Sequence, residues 1–238
     1  MILFSLMKRN VKKYQAVVFD LDDTLFPESE YVLSGLHAAS LHIEKQLGIP
    51  AEKAFSEMRE IFHHGDRSHI FDEWLLLHNQ NSPQNVTELI RVYREHDPVI
   101  QPFPDVPPLL QALKKNHKLA LLSDGFLSVQ KKKLAALDLS NYFDVVIFSD
   151  EWGRDAWKPN PATFRMLAEK LNVNGRDAIY VADNPLKDFK GARSAGMDTI
   201  RFRYSGGVYA KELAVDKTYE PDFEFISLNE IRLFLAGS

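Results

Sequence analysis

The stretch VVFDLDDTLF, residues 17–26, joins a run of apolar residues to a cluster of acidic ones. Its first three residues are β-branched or aromatic and predict a buried strand. Asp20, Asp22 and Asp23 then follow within four positions. Carboxylates that lie close together repel one another unless a cation or a proton lies between them. The stretch therefore predicts a strand that ends at a site where something positive compensates the charge.

The composition of the 238 residues limits the possible classes of protein. With 45% hydrophobic and 26% charged residues, the chain has enough apolar material for a core and no composition typical of disorder. Its length suits one large domain or a core with a smaller unit. A net charge of −4 argues against a nucleic-acid partner and against an anionic membrane surface. Because cysteine is absent, disulfides, thiolate metal sites and thiol catalysis are excluded.

The chain begins with an apolar segment, MILFSLM, and four basic residues follow between positions 8 and 13. A secretory signal carries its positive charge before the apolar run, and a membrane-spanning helix needs roughly 20 apolar residues. The segment fits neither pattern, so we expect a cytoplasmic protein without a membrane partner. Met7 is an alternative start to Met1.

Short apolar runs recur along the chain, and several end in a polar residue or a glycine. They are AVVFD (16–20), KLALLSDG (118–125), DVVIFSD (144–150), AIYVAD (178–183) and DTIRFR (198–203). Segments of helical pattern lie between the later runs, at Leu127–Leu137, Pro161–Leu171 and Lys187–Ala195. Continuous apolar strands that alternate with helices predict an α/β fold with a doubly wound, parallel, Rossmann-like sheet. Ligands bind such sheets at the carboxyl ends of the strands, where Asp20, Ser123 and Asp183 fall.

One region, residues 28–97, contains amphipathic helical stretches and no convincing strand. A proline-rich segment, HDPVIQPFPDVPP, follows it and marks the return to the sheet. A region of about 70 residues is too long for a loop. The sequence therefore predicts a helical cap at 28–97, inserted into a catalytic core formed by 1–27 and 98–238.

The aspartates at the strand ends suggest a metal site. Side chains alternate along a strand, so Asp20 and Asp22 can point the same way. Asp183 ends another predicted strand, and Asp188 follows five residues later. Convergent carboxylates without His or Cys favour a hard cation, and Mg²⁺ binds through a few carboxylates, water and a substrate phosphate. We therefore predict Mg²⁺ at this site, whereas Asp23 is interpreted as a turn or helix cap.

Four segments in order resemble the motifs of the haloacid dehalogenase-like superfamily. DLDDT (20–24) resembles the DxDx[TV] signature, Ser123 in LLSDG the second motif, and Lys158 in WKPNP the third. The stretch VADNPLKDFKGARSAGM (181–197) resembles the fourth motif and the helix after it. The resemblance covers nearly the whole chain. The inserted helices are similar to the first-type cap of the phosphoglycolate phosphatase-like branch.

The resemblance implies a Mg²⁺-dependent phosphatase that works through an aspartyl-phosphate. Asp20 would be the nucleophile. Asp22 would be the general acid and base, and its main-chain carbonyl would also bind the metal. Asp183 would complete the metal site, and Asp188 would bind the metal through water or support Lys158.

The remaining candidates would bind the substrate. The resemblance implies that Ser123 and Lys158 hold the phosphoryl oxygens, and Thr24 belongs to the same candidate set. Asp124 would cap the following helix, which we favour, or accept a hydrogen bond from a substrate hydroxyl. Arg67 lies in the polar stretch HHGDRSHIFDEWL (63–75), which would contact the non-phosphate part of the substrate or form a solvated turn between helices.

These inferences predict an enzyme that hydrolyses a small phosphorylated metabolite. A cap over the site suits a sugar phosphate, a nucleoside monophosphate or a phosphoglycolate-like acid, and the chain would be a monomer or homodimer. The alternatives are a phosphomutase of β-phosphoglucomutase type and a non-catalytic protein that retains the fold and binds phosphate or a partner. A dehalogenase is disfavoured, because it needs no Mg²⁺ and lacks an equivalent of Asp22.

Overall fold

The structure is a computed structural model that describes residues 12–236. The two candidate start sites, Met1 and Met7, lie outside these residues. Within the described range, every helix is too short or too polar to span a bilayer.

The chain forms two compact units. The core unit contains the described residues up to Glu28, then Pro102–Gln130 and the residues from Leu137 on. The helical unit contains Ser29–Gln101 and Lys131–Ala136. The second of these two segments lies in the part of the chain that the sequence analysis assigned to the core.

The described residues of the core unit form one six-stranded sheet. Its strands are β1 (Ala16–Phe19), β2 (Lys118–Ser123), β3 (Val145–Phe148), β4 (Ala178–Ala182), β5 (Asp198–Phe202) and β6 (Phe223–Phe225). All neighbouring strands pair in parallel, in the order β3-β2-β1-β4-β5-β6. This order is typical of Rossmann-like sheets, so the predicted fold class is confirmed. The five predicted strands are present, and β6 was not predicted.

Helices alternate with most of these strands along the chain, and the last helix follows β6. They are α5 (Val106–Leu113), α6 (Leu127–Ala136), α7 (Pro161–Leu171), α8 (Asp188–Ser194) and α9 (Leu228–Ala236). Val18, Leu122 and Tyr180 share a buried cluster with residues of α7 and α8. Val17 and Phe19 point to the opposite face and are equally buried. The central strands are therefore covered on both faces, which explains their continuous apolar sequence.

The helical unit is built from α1 (Glu28–Leu47), α2 (Ala51–His64), α3 (Ile70–Leu77) and α4 (Pro83–Glu95). Buried apolar side chains from all of these helices form its own core, with Trp74 and Met58 fully enclosed. Ser82 caps α4 by accepting a hydrogen bond from the Asn85 N–H. No residue from 29 to 101 lies in a strand. The role of this unit as a cap stays a prediction.

Candidate active site

Three adjacent strands bring the predicted residues to one edge of the sheet. Asp20 directly follows β1, Ser123 ends β2, and Asp183 directly follows β4. Since β1 lies between β2 and β4 and all three run parallel, their carboxyl ends are neighbours. The Asp20 N–H continues the β1–β4 pairing by donating to the Val181 carbonyl at 2.9 Å.

Lys158 lies beneath these strand ends, and its side chain is fully enclosed. The Nζ atom lies 2.7 Å from Asp20 Oδ1, 2.8 Å from Asp188 Oδ1 and 2.9 Å from the Tyr180 hydroxyl. The contacts with Asp20 and Tyr180 are hydrogen bonds, and the contact with Asp188 is an ion pair. The ammonium thus contacts three protein groups, and Asp20 is held by a direct ion pair.

For both members of this ion pair, burial and the charge of the partner shift the pKa in opposite directions. Burial disfavours the Lys158 ammonium, but the carboxylates of Asp188 and Asp20 outweigh this effect and raise the pKa of Lys158 well above its usual value. Burial raises the pKa of Asp20 to about 6, although Lys158 opposes the rise. At neutral pH both groups therefore carry their charges, and Asp20 presents an anionic oxygen.

A glycine in α8 allows this helix to approach the segment that carries Lys158. A Cβ atom on Gly191 would lie 2.5 Å from the Pro159 carbonyl oxygen and 2.8 Å from a ring carbon of Phe164. Both distances are shorter than a real carbon contact, so only glycine fits without a shift of the backbone. The close packing places Asp188, the first residue of α8, against Lys158.

Asp20, Asp183 and Asp188 form an acidic cluster. One carboxylate oxygen from each of them lies within 4.8 Å of the others, and all three residues are buried. Burial raises the pKa of Asp183 well above its usual value, and the charges of Asp188 and Asp20 add to the rise. An all-oxygen donor set whose carboxylates repel one another fits Mg²⁺. The Asp22 carboxylate, which the sequence analysis grouped with those of Asp20 and Asp183, is not among the three, and a metal contact through the Asp22 main-chain carbonyl stays a prediction.

Asp188 has protein partners for both of its oxygens. Besides the contact with Lys158, Oδ1 accepts a hydrogen bond from the Tyr180 hydroxyl at 3.2 Å. Oδ2 accepts one from the Asn184 N–H at 3.0 Å. Of the two roles predicted for Asp188, these contacts support the one in which it orients Lys158.

Asp22 and Ser123 share a partner that the sequence analysis did not identify. The Gln130 amide donates from Nε2 to Asp22 Oδ2 at 3.2 Å and accepts at Oε1 from the Ser123 hydroxyl at 3.1 Å. Gln130 lies in the first turns of α6 and is buried.

Asp124 does not cap the helix that follows it. Its carboxylate accepts hydrogen bonds from the Ser149 hydroxyl at 2.6 Å and from the Lys158 N–H at 3.2 and 3.3 Å. The N–H of Leu127, at the start of α6, instead donates to Asp150 Oδ2 at 3.0 Å. The expected capping role of Asp124 is therefore wrong, because residues distant in sequence engage its carboxylate.

A cavity of about 200 Å³ opens at this edge of the core unit. Its described lining residues are Asp20, Asp22, Glu28, Asp124, Gly125, Gln130, Trp157, Asp183, Asn184, Lys187 and Tyr209. Five of these carry carboxylates and one, Lys187, carries an ammonium, which lies 3.5 Å from Asp124. A dianionic ligand would be repelled by this lining unless a cation accompanied it.

Tyr209 reaches the cavity from the segment that follows β5. The Arg201 guanidinium fixes this segment by donating from Nη2 to the Tyr209 carbonyl at 2.8 Å. Asp23 fixes it as well, since its Oδ2 accepts from the Val208 N–H at 2.8 Å. The other oxygen of Asp23 accepts from the Glu28 N–H at the start of α1, which confirms its predicted capping role. Burial raises the pKa of Tyr209, although Lys187 opposes the rise, so the hydroxyl keeps its proton at neutral pH.

Residues 14–196 match the haloacid dehalogenase-like hydrolase family. This match spans more than half of the chain and includes every residue of the acidic cluster.

The chain belongs to the haloacid dehalogenase-like hydrolases.

Similar proteins agree with this assignment. The hydrolase is 32% identical over 220 residues to the glyceraldehyde 3-phosphate phosphatase of Methanopyrus kandleri, covering 88% of this chain and 92% of that one. It is 29% identical over 191 residues to the phosphoglycolate phosphatase of Aquifex aeolicus, covering 78% and 83%. The crystal structure of a HAD phosphatase from Thermococcus onnurineus superposes with a TM-score of 0.60 at 28% identity, covering 94% of this chain and 99% of that one. The predicted family is confirmed.

Of the predicted substrate-binding residues, only Asp124 is among the described residues that line the cavity, and Ser123, Lys158, Thr24 and Arg67 are not. Thr24 is fully buried, and its hydroxyl has no hydrogen-bond partner among the described residues. Arg67 lies in the helical unit, where its Nε donates to the Phe62 carbonyl at 3.1 Å and its guanidinium lies 4.7 Å from the Phe62 ring centre. A direct contact of either residue with substrate stays a prediction.

Proposed function

We propose that this hydrolase is a Mg²⁺-dependent phosphatase that cleaves a small phosphorylated metabolite through an aspartyl-phosphate. The observation that carries the proposal is the buried Asp20–Lys158 ion pair beside the acidic cluster. An aspartate held in one orientation, ionised at neutral pH and open to a cavity has the properties of a nucleophile.

The acidic cluster would hold the metal. Asp20 and Asp183 would provide oxygen donors directly, and Asp188 would act through water or through Lys158. The mutual repulsion of these carboxylates is of the kind that a divalent cation relieves. When bound, Mg²⁺ would offset the negative charge of the substrate phosphoryl group and of the surrounding carboxylates. Lys187 would contribute a further positive charge at the cavity wall.

The reaction would proceed in two steps on the residues of the core unit. An oxygen of Asp20 attacks phosphorus, the bond from phosphorus to the leaving-group oxygen breaks, and Asp22 gives that oxygen a proton. Asp22, now anionic, takes a proton from water. The resulting hydroxide attacks the phosphorus of the aspartyl-phosphate, which releases inorganic phosphate and restores Asp20. Catalysis of this kind depends on positioning and charge stabilisation, and the ion pair with Lys158 provides both.

The proposed substrate is a short phosphate ester of two or three carbons. The cavity in the core unit, about 200 Å³, is smaller than the range of roughly 300–1,000 Å³ typical of pockets for drug-sized ligands. The relatives named above act on glyceraldehyde 3-phosphate and phosphoglycolate, which are both small. Tyr209 and Glu28 line the cavity, and their hydroxyl and carboxylate would contact the part of the substrate beyond the phosphate. The cytoplasmic location and the monomeric or homodimeric state stay predictions.

Two variants test the mechanism. Asp20→Asn removes the nucleophilic anion and should reduce turnover to background. Asp22→Asn leaves the nucleophile but removes the acid and base, so it should damage turnover of an alkyl phosphate severely. With p-nitrophenyl phosphate, whose leaving group needs no proton, Asp22→Asn should release a burst of about one equivalent of nitrophenolate and then stall.

The measurements are rapid-mix absorbance, intact-protein mass after an acid quench, and assay of inorganic phosphate. Phosphate should be found on Asp20 during the stall. A burst from Asp20→Asn, or phosphate attached to Ser123, would show that Asp20 is not the nucleophile. Release of inorganic phosphate from a panel of phosphate esters distinguishes a phosphatase from a phosphomutase, which returns the phosphate to its substrate.

A further inference from the structure

We propose that Gln130 is a positioning residue: the Ser123 hydroxyl fixes its amide, and the amide orients the Asp22 carboxylate for the reaction. The proposal rests on the proposed function. It concerns a residue that lies outside the four sequence motifs and that contacts both of these groups at once.

The contacts of Gln130 require an amide in one orientation. Nε2 donates to the Asp22 carboxylate, and Oε1 accepts the proton of the Ser123 hydroxyl. The reversed amide would place Oε1 against the carboxylate, where two acceptors repel. Glutamate has no donor when ionised, and lysine has no acceptor. Glutamine is the side chain of this length that satisfies both neighbours.

The local backbone is built to admit this amide. Gln130 lies near the start of α6, with its N–H donating to the Phe126 carbonyl at 3.0 Å, and helical side chains lean towards the N-terminus. Gly125, just before the helix, has a φ of +120°. A Cβ atom at Gly125 would lie 2.6 Å from Gln130 Nε2, so any other residue would obstruct the amide. The glycine thus leaves open the path along which Gln130 reaches Asp22.

The hydrogen bond from Gln130 matters for the reaction because of where Asp22 lies. Asp22 lies after the end of β1 and is only partly buried, whereas Asp20 is held by Lys158 at the base of the cavity. Proton transfer to the leaving group requires a fixed carboxylate within hydrogen-bond reach. A hydrogen bond from a buried amide limits the rotation of the Asp22 side chain. Loss of Gln130 should therefore impair proton transfer more than nucleophilic attack.

The experiment compares Gln130→Met with Ser128→Met, which places the same side chain at an exposed position of the same helix. Methionine keeps the length of glutamine but removes both hydrogen bonds. Hydrogen bonds to charged groups are strong, so Gln130→Met should lower kcat/KM for an alkyl phosphate by about tenfold or more. For p-nitrophenyl phosphate, whose leaving group needs no acid, kcat/KM should change by less than about threefold. Ser128→Met should match the wild type with both substrates.

A second comparison separates positioning from a general structural effect. If Gln130 acts through Asp22, adding Gln130→Met to Asp22→Asn should cost less than about twofold, because the acid is already absent. A merely structural role would lower kcat/KM equally for both substrates and would persist in the Asp22→Asn background. Either result would overturn the proposal.

Gln130→Glu provides a second variant in case Gln130→Met fails to fold. It can still accept from Ser123 but cannot donate to an ionised Asp22, so the same leaving-group dependence is expected. If neither variant folds, Gln130 is a determinant of folding and the proposal is overturned. A wild-type protein that cleaves no phosphate ester with Mg²⁺ would instead refute the proposed function itself.

Discussion

Lys158→Met is the most direct perturbation of the site. It removes the buried ammonium and keeps a side chain of similar length. In the wild type this ammonium contacts Asp20, Asp188 and the Tyr180 hydroxyl, and the side chain is fully enclosed. The variant would leave two buried carboxylates without their cation. We expect a large loss of stability together with loss of turnover.

The magnitude follows from the burial of the pair. Removing one partner of a buried ion pair costs about 3–5 kcal/mol, because it leaves an uncompensated charge away from water. Uptake of a proton by one carboxylate limits the cost. In a protein of this length each kcal/mol shifts the melting temperature by roughly 2–4 °C. The expected decrease is therefore about 6–20 °C.

Lys187→Met is the matched control, because it makes the same chemical change at a second lysine of the site. The Lys187 side chain is 35% exposed, and its ammonium lies 3.5 Å from Asp124. Such partly exposed pairs contribute about 0–1 kcal/mol. Calorimetry and urea unfolding with a chelator present measure both variants without a contribution from bound metal. If the two variants are equally stable, or if Lys158→Met keeps wild-type turnover, the reasoning about the buried pair is refuted.

Three further outcomes are expected. Chelator should abolish turnover and Mg²⁺ should restore it, while Ca²⁺, with its looser coordination, should inhibit; full turnover in chelator would contradict the metal site. Burial lowers the pKa of His96, whose Nδ1–H donates to the Tyr93 carbonyl and whose Nε2 lies 3.1 Å from Ser34 Oγ. Since the pKa of His96 is lower in the folded than in the unfolded protein, neutral His96 contributes to the free energy of unfolding above a pH of about 6.5. This contribution is lost as the pH falls through the folded pKa. Urea unfolding followed by tryptophan fluorescence should show this loss, and His96→Gln should remove that part of the pH dependence. Finally, Tyr209→Phe should raise KM for the substrate by about two- to tenfold without changing inhibition by inorganic phosphate, and an equal effect on both would contradict a contact beyond the phosphate.

The sheet could be predicted because its central strands are buried on both faces. Burial on both sides produces continuous apolar sequences such as VVF in β1, and these need no knowledge of distant contacts. The edge strand β6 has only three residues, none of them buried, so its sequence carries little signal. Helix α5 was not predicted, because its first turn contains two prolines of the segment assigned to the return to the sheet, although proline is well tolerated at the start of a helix.

The charged residues of the site could be predicted, whereas their uncharged partners could not. Aspartates at strand ends are conspicuous, since unpaired negative charge next to an apolar run requires an explanation. Tyr180 resembles any apolar residue of β4, and only the folded structure shows its hydroxyl between Lys158 and Asp188. Gln130 is one polar residue in a helix that also carries three lysines, one of which is exposed. The error at Asp124 has the same origin, since its partners lie 25 and 34 residues away.

The charge balance answers the question raised by the acidic end of β1. Lys158 compensates Asp20 and Asp188 from inside the protein, and this pairing keeps Asp20 ionised at neutral pH. For Asp183, burial and the neighbouring carboxylates raise the pKa well above its usual value, so the protein alone does not stabilise a further negative charge in the cluster. Ionising Asp183 without a cation would cost stability, since buried charge without a partner is costly. A divalent cation would offset that cost by binding the ionised carboxylates, so stability is given up where binding requires it.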